Sequence, residues 1–203
     1  RGDITVDVGA TNRTWGFWKT HLWLVQWMFG EANLDYPNSP AIASINLGSW
    51  SNYAGAIVTH TISGTIEERV CQYMAIMWAN SAKNEDGTPR SSIDQARIHT
   101  AQQALAAIMN DYLPGGADLT AYLGYGITLD SIASTLTTGT IQEIRTLGSR
   151  LAGYNESGDN LPFDPSIPPT GKTNGGDPQG ARTAGGDCVW FANTQPDVKG
   201  KKP

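Results

Sequence analysis

The chain has 203 residues, 39% hydrophobic and only 16% charged, with a formal net charge of −5. The acidic balance argues against nucleic acid as a partner, because phosphate binding takes a basic stripe. No run reaches the roughly 18 uninterrupted apolar residues of a membrane span. Two cysteines are too few for a Cys-rich zinc site, and no c-type haem signature occurs. Soluble domains carry about 25% charged residues; here Thr, Ser, Asn, Gln and Gly supply the polar surface instead. Protein interfaces are depleted in Lys and Glu, so such a surface suits coverage by other proteins.

Ile4, Val6 and Val8 alternate with polar residues, which predicts a short half-buried strand. Residues 14–30 hold Trp15, Phe17, Trp18, Trp23, Trp27 and Phe29 without Gly or Pro between Lys19 and Phe29, which predicts a helix. A helix apolar around most of its circumference is buried, although its tryptophans could also form a sugar-stacking platform. Residues 31–63 are Asn-, Ser- and Pro-rich, and Leu47 to His60 reads as irregular or as holding one short helix. Thr65 and Glu68 form a capping box for a helix running to about Asn80. Ser91 or Ser92 opens an alanine-rich helix that Pro114-Gly115-Gly116 ends. A short helix is expected at 129–136, and Thr140 with Glu143 caps a last amphipathic helix reaching Tyr154.

Beyond Tyr154, Pro and Gly supply 15 of the last 49 residues. A tail of this composition cannot build its own core, so it must lie along a surface, its own or a neighbour's. Within it Val189, Trp190 and Phe191 form a strand-like aromatic patch. The expected fold is therefore mainly α. It comprises a compact body of four or five helices over 14–155, an N-terminal strand or arm over 1–13, and an extended C-terminal arm over 156–203 containing a short strand. Neither short strand can stand alone. They could pair with each other or add to a sheet of an adjacent subunit, which makes Ile4, Val6, Val8, Val189, Trp190 and Phe191 candidate subunit-interface residues.

The chain opens at Arg1 rather than Met, as expected of a processed secreted protein. In that setting Cys71 and Cys188 are expected to pair as a disulfide, the alternative being two buried thiols. Sequons occur at Asn12 and Asn155. The stretch Arg13-Thr14-Trp15-Gly16-Phe17-Trp18-Lys19-Thr20-His21, with Trp23 beyond, resembles the opening R-T-x-G-[FY]-W-K-x-H of a domain found in secreted bacterial and archaeal surface proteins. The resemblance runs over about residues 13–155 and closes on Leu151-Ala152-Gly153-Tyr154-Asn155; the family's usual Pro after its His is Leu22 here. It implies a helical fold and an extracellular setting, and no reaction.

No catalytic constellation is visible. His21, His60 and His99 are isolated in sequence, and no G-x-S-x-G, phosphate loop or H-E-x-x-H occurs. Asn155, Glu156, Asp159, Asn160 and Asp164 make an oxygen-rich loop of the kind calcium favours, though without EF-hand spacing; a polar loop capping a helix is the other reading. No cofactor is expected. These features point to a non-enzymatic, secreted structural subunit that assembles with copies of itself through its arms. The alternative is a module binding carbohydrate or cell envelope through exposed aromatic residues.

Overall fold

The computed structural model describes residues 10–52, 55–84, 86–123, 128–169, 175–186 and 188. Ile4, Val6, Val8, Val189, Trp190 and Phe191 lie outside the described residues. The chain is mainly α, with eight helices and a two-stranded sheet among the described residues.

The Trp-rich segment forms two short helices, α1 (Trp15–Trp18) and α2 (Leu22–Met28), rather than one. The break has a local cause. The Thr20 hydroxyl donates to the carbonyls of Gly16 (3.1 Å) and Phe17 (3.0 Å), and His21 Nδ1 also engages the Phe17 carbonyl at 2.7 Å. Those are the acceptors that a continuous helix would reserve for the N–H groups of residues 20 and 21. Gly30, at φ 103°, ends α2 in the left-handed region.

Residues 45–62 correct the irregular reading of this region. β1 (Ile45–Ser51) and β2 (Ile57–Ile62) pair antiparallel, with Ile45 opposite Ile62 and Ser51 opposite Ile57. A bulge falls between Asn46 and Ser49. Gly48 sits there at φ 82°, and a Cβ would lie 2.2 Å from Thr137 Oγ1 and 2.4 Å from the Ala133 carbonyl. Only glycine fits that contact.

α3 (Ile66–Met77) starts at the expected Thr65–Glu68 capping box, and α4 (Ser92–Tyr112) starts at Ser91. α5 (Leu119–Leu123) is a further helix, α6 (Leu129–Thr138) covers the short helix expected at 129–136, and α7 (Ile141–Glu156) opens on the Thr140–Glu143 box. Among the described residues, seven helices thus occupy the span expected to hold four or five. α4 is the central element, touching α1, α3, α5, α6, α7 and β1. Its buried face carries Ala96, Ala101, Ala104 and Ala107, whose small side chains admit close neighbours. Against α7 the approach is close at Gly148, where a Cβ would stand 2.6 Å from Thr100 Oγ1. Two polar residues of α4 are spent on helix ends. Gln102 Nε2 donates to the carbonyls of Ile76, Met77 and Ala79 at the end of α3, and Arg97 donates to those of Leu136 and Thr137 at the end of α6.

The tail is not extended throughout. Residues Pro178–Gly186 form α8, with Asp177 accepting from Gly180 N (2.8 Å) and proline at the first turn. α8 packs on α3 closely enough that a Cβ at Gly185 would lie 2.7 Å from the Met74 carbonyl carbon. Its small residues provide that approach. Hydrogen bonds also cross both expected domain boundaries. Thr11 N donates to the Gly115 carbonyl (2.8 Å) and Thr11 Oγ1 to that of Pro162 (2.7 Å).

Candidate functional site

The distinctive motif at 13–21 is built into the interior. Thr14 caps α1, and Trp18, fully buried, donates its indole N–H to Asn110 Oδ1 at 2.8 Å. Asn110 is a hub. The same Oδ1 accepts from Arg13 N (2.8 Å), while Nδ2 donates to the Arg13 carbonyl (2.8 Å) and to Asn155 Oδ1 (3.0 Å). All four hydrogen-bonding positions of the carboxamide are used. The Arg13 guanidinium donates to the carbonyls of Asn12 (2.8 Å), Gly158 (3.1 Å) and Leu161 (2.6 Å) and lies 4.1 Å from the Phe163 ring centre. It clips the segment after α7 to the start of the body. Burial lowers its pKa and the charge of Asp159 opposes that shift. His21 stacks on Phe17 at 3.7 Å; desolvation holds its pKa below the usual imidazole value. The motif residues therefore act as internal fasteners.

The oxygen-rich loop disperses. Asn155 is buried, with Nδ2 on Gln103 and Oδ1 on Asn110. Asp159 accepts from Thr14 N at 3.3 Å, and Asp164 closes a turn on Ser166 N at 2.8 Å. Glu156 and Asn160 are exposed. Among the described residues no group of three or more His, Cys, Asp or Glu is placed to hold a metal ion. Both sequon asparagines are buried: Asn12 Nδ2 donates to the Tyr154 carbonyl (2.8 Å) and Asn155 Nδ2 to Gln103. Neither is presented for glycosylation by the folded chain.

Cys71 is half-buried on α3 and Cys188 is buried just past α8. The two stand near each other. Packing of α8 on α3 is what brings together residues so distant in sequence. An apolar groove of about 580 Å³, walled by Leu22, Ile66, Val70, Cys71 and Ala184, lies beside Cys71.

The sheet offers a different surface. Among the described residues β2 is bonded to β1 alone, and β1 packs on α6. Ile57 on β2 is 67% exposed. His60 is enclosed: it stacks on Trp50 at 3.6 Å and its Nε2 meets the Trp50 carbonyl at 3.0 Å. Burial drops its pKa to about 4, the backbone bond opposing.

The aromatic platform expected of a glycan module is mostly enclosed, since Trp18 and Trp27 are buried and Trp15 and Trp23 are half-buried. Trp78 and Arg182, which sequence reasoning did not single out, meet Trp15, Lys19 and His99 around a second cavity of about 330 Å³. Among the described residues no helix is long and apolar enough to cross a membrane. No family model, no curated protein and no solved structure matches the chain.

Proposed function

We propose that this chain is a secreted, non-catalytic structural subunit that assembles with copies of itself by strand addition. One observation supports the reading: among the described residues β2 has a single strand partner, β1, and in this proposal its outer edge is the acceptor. An exposed strand edge is a template for another chain. The chain supplies matching donors. Ile4, Val6 and Val8 alternate with polar residues, as an added strand requires, and Val189, Trp190 and Phe191 are strand-forming. The weakly charged, Thr- and Ser-rich surface suits burial against a neighbour. A donor arm that reaches the next subunit gives a contact that need not close, hence a filament. In an oxidising compartment, we further propose, Cys71 and Cys188 join and fix the start of the C-terminal arm to α3.

The test is competition. A synthetic peptide of residues 1–9 in excess should cap growing polymers and shorten them, and a scrambled peptide should not. Deleting residues 189–203 or 1–9 should leave a folded body, and loss of polymer in one deletion identifies the donor. Polymers that persist in both deletions and ignore the peptide would refute strand addition.

A further inference from the structure

An apolar groove lies where α2, α3 and α8 meet, and the assembly reading makes no use of it. Its walls are Leu22 of α2, Ile66, Val70 and Cys71 of α3, and Ala184 of α8, around a space of about 580 Å³. Leu22, Ile66 and Ala184 are only half-buried, so part of this apolar lining stays open among the described residues. Two carboxylates, Glu31 and Glu67, stand exposed on the rim, and among the described residues no Lys or Arg lines the groove.

The place where the described chain ends decides what can reach this groove. Cys188 stands near Cys71, which is part of the groove wall. Val189, Trp190 and Phe191 follow directly in sequence. An extended chain advances at most about 3.6 Å per residue, so Trp190 is tethered within about 7 Å of Cys188 and Phe191 within about 11 Å. A covalent tether this short gives an effective concentration on the order of millimolar, which a second copy would have to match from solution. Meeting the groove removes two apolar surfaces from water in one contact. Charge favours the same partner: residues 189–203 carry Lys199, Lys201 and Lys202 against one acid, Asp197, and the groove rim is acidic. We propose that the groove seats the chain's own C-terminal aromatic segment. Trp190 fills the space between Leu22, Val70 and Ala184, and the lysines that follow are drawn to Glu31 and Glu67. The segment closes the apolar face that the three helices leave open. It also withdraws Val189, Trp190 and Phe191 from strand addition. Under the assembly reading, on which this last consequence alone rests, the donor strand is then that of Ile4, Val6 and Val8.

The test uses the full chain with a photoreactive benzophenone amino acid in place of Trp190. The protein is irradiated, then resolved by mass under denaturing, reducing conditions. The expected product has the mass of a single chain, with the adduct on peptides carrying Leu22, Ile66, Val70 or Ala184. Ala184→Leu, which fills the groove, should lower the yield of that adduct at least fivefold. If Ala184→Leu does not fold, Glu31→Lys combined with Glu67→Lys decides, since both positions are exposed; the reversed rim charge should lower the yield several-fold. A two-chain product would assign the segment to a second copy, and one joined at residues 57–62 would make it a strand donor. Either product, adducts scattered over other surfaces, no adduct, or an unchanged yield in the folded variants would overturn the assignment. A chain that never polymerises should still give the groove adduct, so the two readings fail separately.

Discussion

Replacing Asn110 by alanine tests the internal architecture most sharply. The carboxamide engages four groups: Arg13 N, the Arg13 carbonyl, Trp18 Nε1 and Asn155 Oδ1. All of them sit in a region where Trp18 and Asn110 have no solvent exposure. A buried polar group without a partner costs about 1–3 kcal/mol. Four such losses set a ceiling of roughly 4–12 kcal/mol, and relaxation or a water entering the vacated space brings the expected loss to about 4 kcal/mol. With a urea m-value near 3 kcal/mol/M, the midpoint should fall by about 1.3 M. The melting temperature should fall by roughly 8–16 °C, at 2–4 °C per kcal/mol for this size. Asn110→Asp keeps the acceptors and loses both donations, so it should not rescue. A loss under about 1 kcal/mol would refute the hub.

Gly48→Ala places a methyl 2.2 Å from Thr137 Oγ1 at a backbone of φ 82°; the strain and the clash should cost about 2–4 kcal/mol by chemical denaturation, and a near-neutral result would show that the β1–α6 contact is looser than drawn. His60 gives stability a pH dependence. Its folded pKa is lowered to about 4, so between about pH 6.5 and 4 the unfolded chain binds a proton that the folded chain refuses. Stability should therefore fall by up to ~3 kcal/mol as pH drops through that window. His60→Phe should flatten that part of the profile, and an unchanged slope would assign it elsewhere. For the cysteines, protein purified under oxidising conditions should resist thiol alkylation until reduced, and Cys71→Ser should abolish that protection; full alkylation before reduction would remove the disulfide from the account.

What the sequence made legible was local. The Thr65–Glu68 and Thr140–Glu143 boxes were readable because cap and acceptor are three residues apart and need no tertiary partner. The burial of the Trp-rich segment followed from its apolar circumference. Its break at Thr20 and His21 did not, because it depends on side chains competing for backbone carbonyls within one turn. The hairpin was hidden by the Pro- and Asn-rich stretch before it, although Ile57-Val58-Thr59 is β-branched throughout. α8 carried a signal in Asp177-Pro178 that the surrounding Gly and Pro outweighed. The candidate calcium set failed as a cluster because Asn155 turns inward to Asn110. Its neighbours in sequence point to other partners. Asn110 itself looked like one polar residue in an alanine-rich helix, and the meeting of Trp15, Trp78 and Arg182 depends on α8 docking against α3, which no local spacing encodes.

The proposed role has the chain polymerise through its own arms. The most direct measurement is the size of the purified native protein, by negative-stain microscopy with light scattering. Long, uniform filaments that disappear when residues 1–9 or 189–203 are removed are the predicted result. A monodisperse particle at the 21.8 kDa chain mass, unchanged by concentration, would contradict it.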